Sequence, residues 1–480
     1  MKVLFAVWEL DPFFKFGGLG DVARSLPGAL LASGVDIRIV MPFYKVLKLG
    51  TAKKKKAAEF TVRYGDKDEL VEIYLTAHPV THVPVYLLRN RKYLFIAKSE
   101  DTFAFLDKAI VEMVKKNVVG FVPDIVHCND HHTGLIPVLI KEEKLKIGTI
   151  LTIHNLSYQG EAEVEILDKI GLARSKSKVL EWEIKSRRLN FLMEGIIHAD
   201  VVTTVSPTYA REIMTEEFGA GLEDVLRGKE GRVFGILNGI DLDYSTDMNN
   251  RILEIRRKDA RVKSVEDKHK IEKDLEKEKR LHKLFLQKKL HLTVDPDIPL
   301  FSFIGRFDPG QKGIDILHKM LRRIDLEKYE FVVLGSGNHD WEERFQWLCT
   351  FFPKNVSCNF VFDDVLAHQM YAASDFMLLP SLFEPCGLVQ MLAMFCGTLP
   401  IAHKTGGLKD SIKDDRNGFL FESYSSESLE RTVKKAVDIW HHDKLRYRKM
   451  VEDAVASDFS WNKSAKEYIG LYQKLVAGEL

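Results

Sequence analysis

Residues 2–40 read KVLFAVWELDPFFKFGGLGDVARSLPGALLASGVDIRIV, and no other stretch is as informative about the fold. Lys2–Val7 is an apolar run typical of a buried strand, and the glycine-rich loop Lys15–Gly20 follows it. Asp21–Ser33 has the apolar spacing of a helix that a glycine closes, and Val35–Val40 is a second apolar run. This order predicts a βαβ unit of a parallel sheet.

The same alternation of apolar runs and turns recurs through both halves of the chain. Further strand candidates in the first half are DIVHC (124–128), TILTIH (149–154) and DVVTTV (200–205). Those in the second half are LFSFIG (300–305), FVVLG (331–335), FMLLP (376–380) and TLPIA (398–402). Open α/β sheets bind ligands at the carboxyl ends of their strands, so two such domains predict a cleft between them.

A charged segment from about Arg251 to Lys289 separates the two halves. Its core, KSVEDKHKIEKDLEKEKR (263–280), interleaves both signs of charge and contains few apolar residues. This composition predicts a solvated helix at the periphery of the molecule. We therefore expect that deleting residues 263–280 leaves turnover largely intact.

Composition excludes several classes of protein. The chain has 480 residues and is 45% hydrophobic, which is more than one core normally absorbs. Its 70 basic and 69 acidic residues nearly cancel, which argues against nucleic acid or a membrane surface as partner. The apolar start is interrupted too early for a signal peptide, and no later stretch has membrane-spanning length. Five scattered cysteines without a CxxC pair fit a reducing cytoplasm.

The loop KFGGLGD is the first candidate site. Gly17, Gly18 and Gly20 let the backbone approach a ligand closely, and the helix expected near Asp21 would aim free N–H groups at it. Lys15 adds a mobile cation. A tight turn with a solvent-facing lysine explains the same residues equally well, so both interpretations stay open.

The loop GRFDPGQKG (305–313) follows a strand candidate directly. Arg306 and Lys312 could together neutralise a pyrophosphate, the arginine through a bidentate fork and the lysine as a point charge. The alternative is that they are two ordinary surface cations.

The text SLFEPCGLVQMLAM (381–394) places Glu384 at the end of a strand, where a carboxylate can hydrogen-bond sugar hydroxyls. The amides of Cys386, Gly387 and Leu388 are expected at a helix N-terminus. Residues 405–407, Thr-Gly-Gly, predict a second nest of N–H groups for an anion. A purely structural role for Glu384, as a carboxylate at a helix start, is not excluded.

Nine short sequence motifs occur in the same order as in a known family. They are KFGGLGD (15–21), TIHNLSYQG (152–160), TTVSPTYAREI (203–213), GILNGID (235–241), GRFDPGQKG (305–313), LLPSLFEPCGLVQ (378–390), TGGLKD (405–410), NGFLF (417–421) and FSW (459–461). The chain resembles glycosyltransferase family 5, the glycogen and starch synthases of bacterial type.

The resemblance implies an α/β chain of the GT-B fold, with two Rossmann-like domains facing across a deep cleft. The predicted domains are 1–245 on the acceptor side, 246–458 on the side of the nucleotide-sugar donor, and a helix in 459–480 that packs back toward the first domain. It also implies transfer of glucose from ADP-glucose to the non-reducing end of an α-1,4-glucan such as glycogen, with retention of configuration.

The resemblance carries residue roles as well. The predicted catalytic residues are Glu384, Arg306, Lys312, Lys15 and His154. The predicted donor contacts are Lys15, Gly17, Gly18, Asn238, Arg306, Lys312, Glu384, Cys386, Gly387, Leu388, Thr405, Gly406 and Gly407. The predicted acceptor-side residues are Asp130, His132, His154, Asn155, Tyr158 and Gln159. No convincing DxD motif is present, so no metal or other cofactor is expected.

Departures from the family pattern keep alternatives open. His131 stands where the family usually has tryptophan, and further departures occur at Lys98, Met193, Leu382 and Phe395. The alternatives are a synthase that uses UDP-glucose and a catalytically weak glucan-binding homologue. A sugar-nucleotide 2-epimerase could share the architecture, but the HNLSYQG and EPCGLVQ texts do not fit it. The oligomeric state is left open.

Overall fold

The structure is a computed structural model. It describes the whole chain apart from residues 51, 97–98, 173–186 and 242–264, and for 265–273 it describes the backbone alone. The predicted domain boundary at 245/246 and the departure at Lys98 lie outside the described residues. Two compact units are present. Unit 1 comprises Met1–Gly239 and Trp461–Leu480, and unit 2 comprises Ile240–Ser460. In the described part of the chain, no helix is long and apolar enough to cross a membrane.

Unit 1 is built on a nine-stranded sheet in the order β11-β10-β7-β6-β1-β2-β5-β4-β3. Its strands are β1 (Lys2–Ala6), β2 (Asp36–Pro42), β3 (Lys55–Tyr64), β4 (Lys67–Ala77), β5 (Pro84–Arg89), β6 (Ile125–Asn129), β7 (Gly148–Ile153), β10 (Val201–Thr204) and β11 (Val233–Gly235), and a separate antiparallel pair is formed by β8 (Glu161–Glu163) and β9 (Arg188–Asn190). Neighbouring strands of the large sheet are parallel except in the pairs β3–β4 and β4–β5. The central strands therefore all end at one edge.

The helices of unit 1 before its last segment are α1 (Gly18–Ala32), α2 (Glu100–Lys115), α3 (Ile136–Glu142), α4 (Ile166–Ile170), α5 (Phe191–His198), α6 (Pro207–Glu212) and α7 (Glu223–Arg227). Helix α1 begins three residues before the predicted start at Asp21, because the glycines at 18 and 20 are themselves helical. The hairpin β3–β4 has alternating exposed and buried residues, and the sequence analysis did not identify it.

Unit 2 contains a parallel six-stranded sheet in the order β14-β13-β12-β15-β16-β17. Its strands are β12 (Leu300–Ile304), β13 (Glu330–Leu334), β14 (Val356–Asn359), β15 (Phe376–Leu379), β16 (Leu399–His403) and β17 (Phe419–Phe421). Its helices are α8 (Val265–Lys289), α9 (Ile314–Leu321), α10 (His339–Phe351), α11 (Asp364–Ala373), α12 (Val389–Phe395), α13 (Gly406–Ser411), α14 (Ser426–His442) and α15 (Lys444–Val455). The prediction of an α/β chain with two parallel-sheet domains is confirmed.

The prediction that the charged segment is peripheral is wrong for the end that the structure describes. Leu275 of α8 is buried. The ammonium group of Lys279 donates hydrogen bonds to the carbonyl oxygens of Ala372 (3.2 Å), Ser374 (2.9 Å) and Cys396 (3.3 Å), which lie at the carboxyl ends of α11 and α12. Helix ends expose unpaired carbonyl groups that attract cations. A lysine-rich helix can therefore pack against the protein through hydrogen bonds that its ammonium groups donate. A search for an apolar helix face does not detect such packing.

The last helix, α16 (Trp461–Ala477), belongs to unit 1. Its residues Trp461, Tyr468 and Tyr472 are buried in the core of that unit. The hydroxyl of Tyr472 is 2.6 Å from one ring nitrogen of the buried His127, whose other nitrogen is 2.6 Å from the hydroxyl of Thr152. The helix is thus tied to β6 and β7, the strands that carry predicted acceptor-side residues.

Candidate functional site

Three adjacent strands of unit 2 end beside one another and carry the predicted donor residues. Strands β12, β15 and β16 are neighbours in the sheet, and all run parallel. Arg306 follows β12, Glu384 follows β15 and Thr405 follows β16. Because the carboxyl ends of parallel strands meet at one edge, these three loops lie together.

Lys312 and Glu384 form an ion pair at this edge. The Lys312 ammonium is 3.0 Å from Oε1 and 2.8 Å from Oε2 of Glu384, so it holds both carboxylate oxygens. The hydroxyl of Ser381 donates to Oε2 at 2.9 Å. Glu384 is buried, while 22% of the Lys312 side chain is exposed. The buried Glu384 carboxylate is thus oriented by Lys312 and Ser381, and the Lys312 side chain is partly exposed.

The backbone brings these two residues together. Gly313 has a φ of 68°, and a Cβ added there would lie 1.9 Å from the carbonyl oxygen of Pro380. Only glycine fits such a crossing. The amide of Leu382 donates to the carbonyl of Gln311 at 2.8 Å, which links the two loops again. The Gln311 side chain also accepts from the Arg306 guanidinium at 2.8 Å. The two predicted phosphate-binding cations are therefore part of one connected loop pair.

Amides of the predicted nest at 405–407 are engaged by the protein itself. The amides of Thr405 and Gly407 already donate to the carbonyls of His403 and Glu384, both at 2.9 Å. Helix α12 begins at Val389, so Cys386 and Gly387 precede it, and Leu388 is its N-cap. In the predicted nest 405–407, the amides of Thr405 and Gly407 thus serve the fold.

Strands β1, β6 and β7 of unit 1 are also neighbours, and their ends carry the predicted acceptor side. Asp130 follows β6 with a φ of 53°, which is unusual for a residue other than glycine. Its Oδ1 accepts the His154 amide at 2.7 Å, and the amide of Asn155 also faces this carboxylate. Burial raises the pKa of Asp130 to about 7. This carboxylate therefore changes charge near neutral pH.

The two predicted histidines of this side are neutral bases. Burial lowers the pKa of His154 to about 3, and its Nε2 is 2.9 Å from Oδ1 of Asn129. Burial also holds the pKa of His132 well below its usual range. The His132 ring stacks on the indole of Trp8 with centroids 4.3 Å apart. Neither ring is a cation at working pH, so both are suited to hydrogen bonds with uncharged hydroxyls.

The remaining predicted residues of unit 1 differ in how open they are. Tyr158 is half exposed. Both ends of the Gln159 amide are engaged, with its nitrogen 2.9 Å from the Ala220 carbonyl and its oxygen accepting from Asn190 at 2.6 Å. Asn238 is buried, and its Oδ1 has no hydrogen-bond partner in the described structure. Gln159 is thus held by the protein itself, whereas Tyr158 is accessible.

The glycine-rich loop of unit 1 is organised by a residue that the sequence analysis did not select. Lys15 pairs with Asp21, its ammonium 2.8 Å from Oδ1. The buried Oε2 of Glu9 accepts the amides of Phe16 and, at 2.9 Å, Gly17. Burial raises the pKa of Glu9, and these N–H groups oppose the rise. A Cβ on Gly18 would meet nothing within 4 Å, so the space beside that residue is open.

Glu9, Trp8 and Ser381 are the site-edge residues that sequence reasoning missed. A signal existed for the first, because a carboxylate interrupting an apolar strand end needs donors nearby. No feature of the sequence predicts the contacts of Trp8 or Ser381. Over the described ranges, no group of three or more histidine, cysteine, aspartate or glutamate side chains is placed to hold a metal ion.

Each half of the chain matches a protein-family model. Residues 2–228 match the model described as the starch synthase catalytic domain. Residues 287–454 match the model of group 1 glycosyl transferases. The two matches fall in unit 1 and unit 2 respectively.

Whole-length relatives agree with these models. A glycogen synthase of Thermosipho melanesiensis is 38% identical and one of Clostridium beijerinckii is 36% identical, each over 99% of both chains. Among solved structures, the catalytic domain of starch synthase IV from Arabidopsis thaliana, bound to ADP and acarbose, superposes with a TM-score of 0.83 at 29% identity over 99% of both chains. A sucrose-phosphate synthase from Thermosynechococcus elongatus, at 18% identity and a TM-score of 0.59, shares the fold.

Proposed function

The chain belongs to the glycogen and starch synthase family, glycosyltransferases of the GT-B fold, and we propose that it transfers glucose from ADP-glucose to the non-reducing end of an α-1,4-glucan with retention of configuration. The observation that carries the proposal is the contact of Lys312 with both carboxylate oxygens of Glu384. In this pair, Lys312 is the group proposed to neutralise phosphate and Glu384 is the group proposed to bind the sugar. Both lie at the carboxyl edge of a parallel sheet, where open α/β sheets bind ligands.

The charged side chains of unit 2 are suited to the step in which the diphosphate leaves the sugar donor. Breaking the bond at C1 of glucose moves negative charge onto the leaving diphosphate and positive charge onto the sugar ring. Arg306 and Lys312 would stabilise the first charge, and the Glu384 carboxylate would hold sugar hydroxyls and ease the second. We propose that the acceptor 4-hydroxyl attacks from the face that the diphosphate leaves.

The acceptor half requires groups that recognise neutral hydroxyls. The neutral His154 and His132 and the carboxylate of Asp130 provide acceptors and donors without a fixed positive charge. The exposed part of Tyr158 adds an aromatic surface. We propose that these residues bind the end of the glucan chain.

We propose ADP-glucose as the preferred donor, with UDP-glucose as the alternative. The support is family membership and the related starch synthase structure, which holds ADP. The test is incorporation of labelled glucose into glycogen from each donor at matched concentrations. A higher kcat/KM with ADP-glucose is expected. A higher value with UDP-glucose overturns the donor assignment, and no incorporation from either favours a glucan-binding homologue.

We also propose that transfer needs no metal ion, since Arg306 and Lys312 supply the charge that a metal would supply at a diphosphate. Activity should survive excess EDTA. Loss of activity in EDTA that manganese restores would contradict this.

A cytoplasmic location is proposed on the same family grounds. All five cysteines lie in the described part of the chain, and none is in a disulfide. Cell fractionation that finds the protein outside the cytoplasm would contradict this location.

A further inference from the structure

Glu9 stands immediately beyond β1, where the chain leaves the sheet for the glycine-rich loop. Only 1% of the residue is exposed. Its Oε2 accepts the N–H groups of Phe16 and Gly17, and the N–H of Gly20 also faces the carboxylate. A single buried side chain thus accepts two amides of the loop and faces a third in the first turn of α1.

The glycines of the loop lie within van der Waals reach of this carboxylate. A Cβ on Gly17 would lie 3.6 Å from Oε1 of Glu9, and a Cβ on Gly20 would lie 3.5 Å from Oε2. The amide of Asp11 donates to the Gly20 carbonyl at 3.2 Å, which closes the loop at its base. The glycines therefore bring the backbone close to an anion that belongs to the protein.

This arrangement changes the role of the loop amides. A run of N–H groups at a helix start is usually available to a bound phosphate. Here the amides of Phe16 and Gly17 are occupied by Glu9, while the side chain of Lys15 lies partly exposed beside them. The loop presents a cation, and the internal carboxylate fixes the backbone that carries it.

We propose that Glu9 is a positioning residue for the transfer reaction, holding the backbone at Phe16 and Gly17 so that Lys15 is oriented toward the phosphates of the nucleotide-sugar. This inference rests on the proposed function of the chain. Glu9 itself touches no reacting atom in this account. Its carboxylate acts through the loop.

The test compares Glu9→Leu and Glu9→Gln with the wild type. Leucine removes every acceptor, whereas glutamine keeps one oxygen that can accept the two amides. We expect Glu9→Leu to lower kcat/KM for the nucleotide-sugar about 10²-fold, because small displacements of a binding group cost this much. Glu9→Gln should recover most of the loss, and the KM for glycogen should stay within about twofold for both.

A second readout does not depend on activity. Hydrogen exchange of a peptide covering residues 12–20 should become faster in Glu9→Leu and stay close to wild type in Glu9→Gln, because the amides lose or keep their acceptor. This measurement tests the positioning role even if the wild type proves to use a different sugar donor or to be inactive.

Glu330→Leu is the matched control. Glu330 is a buried glutamate of unit 2 that accepts from Gln287 at 2.7 Å, and it lies at the start of a strand, away from the site edge. It should lower the melting temperature without changing exchange at 12–20 or the donor KM. A folded Glu9→Leu with wild-type donor kinetics and wild-type exchange would overturn the proposal. If Glu9→Leu does not fold, a Glu9→Gln enzyme with 10²-fold lower kcat/KM despite wild-type exchange would overturn it.

Discussion

The candidate site residues of the two units are held by opposite charges. In unit 1 the organising groups are buried carboxylates that accept backbone amides, as Glu9 does for Gly17 and Asp130 does for His154. In unit 2 they are lysine ammonium groups that donate to oxygens, as Lys312 does to Glu384 and Lys279 does to the ends of α11 and α12.

Apart from the Lys15 loop, which is proposed to approach phosphates, the charges at the candidate sites match what each unit is proposed to bind. A neutral glucan end is recognised by hydrogen bonds, and the unit proposed for it contains histidines that burial keeps uncharged. A nucleotide diphosphate is recognised by positive charge, and the unit proposed for it places Lys312 on the Glu384 carboxylate and Arg306 on Gln311 of the connected loop. The predictions below test whether the contrast between the units is functional.

The largest effect is expected from removing the Lys312 cation. In Lys312→Ala the buried Glu384 keeps the Ser381 hydroxyl but loses its charged partner. We expect kcat to fall roughly 10²–10³-fold, about 3–4 kcal/mol, and the donor KM to rise. Lys319→Ala is the control, because Lys319 is an exposed lysine of the same unit that lies 3.6 Å from the Asp315 carboxylate. Equal kinetics for the two variants would show that the Lys312 contact is structural.

A double variant sharpens this result. Because Lys312 and Glu384 act on one another, Lys312→Ala combined with Glu384→Gln should cost less than the sum of the single changes. Fully additive losses in kcat would contradict a coupled pair.

In unit 1, the raised pKa of Asp130 predicts that the free energy of unfolding depends on pH in the wild type and less so in Asp130→Asn. The folded-state pKa is raised to about 7, so folding takes up a proton between the unfolded pKa and pH 7. Wild-type stability is therefore lost progressively as pH rises through that window, and Asp130→Asn has no such loss. The variant should gain about 2–3 kcal/mol relative to wild type between pH 5 and 8. Denaturant unfolding at both pH values measures the gain.

The control for this measurement is Asp124→Asn, since Asp124 is an exposed aspartate of the same unit. It should differ from wild type by a constant amount across the same pH range. A flat or falling difference for Asp130→Asn would contradict the burial of an ionising carboxylate.

The smallest effect concerns the charged helix α8. Lys279→Met removes the ammonium group that donates to the carbonyls of Ala372, Ser374 and Cys396, and it should lower the free energy of unfolding by about 1–3 kcal/mol. The neighbouring exposed Lys277→Met should change it by less than about 0.5 kcal/mol. Equal stabilities for the two variants would restore the idea of a peripheral helix.

Much of the fold was predictable because parallel strands buried on both faces read as continuous apolar runs. β1, β6 and β12 begin within a residue of their predicted starts. The hairpin β3–β4 was missed because its half-exposed strands carry many lysines and glutamates. The packing of α8 was missed because it depends on the distant carbonyls that Lys279 reaches.

The candidate site was predictable as far as residue types and strand ends allow. Arg306, Lys312 and Glu384 follow strands that the sequence predicts, and the structure places all three at the carboxyl edge of one sheet. Which amides are already engaged could not be predicted, because hydrogen bonds such as those of Glu9 depend on atomic positions. The roles of these residues remain predictions.

Glu384→Gln tests most directly whether the carboxylate acts on the transferring sugar or only supports its loop. The substitution keeps the size of the side chain and one acceptor for Lys312 while removing the charge. We predict that kcat falls roughly 10²–10³-fold with little change in melting temperature. A Glu384→Gln enzyme with a lowered melting temperature and near wild-type kcat would contradict the account.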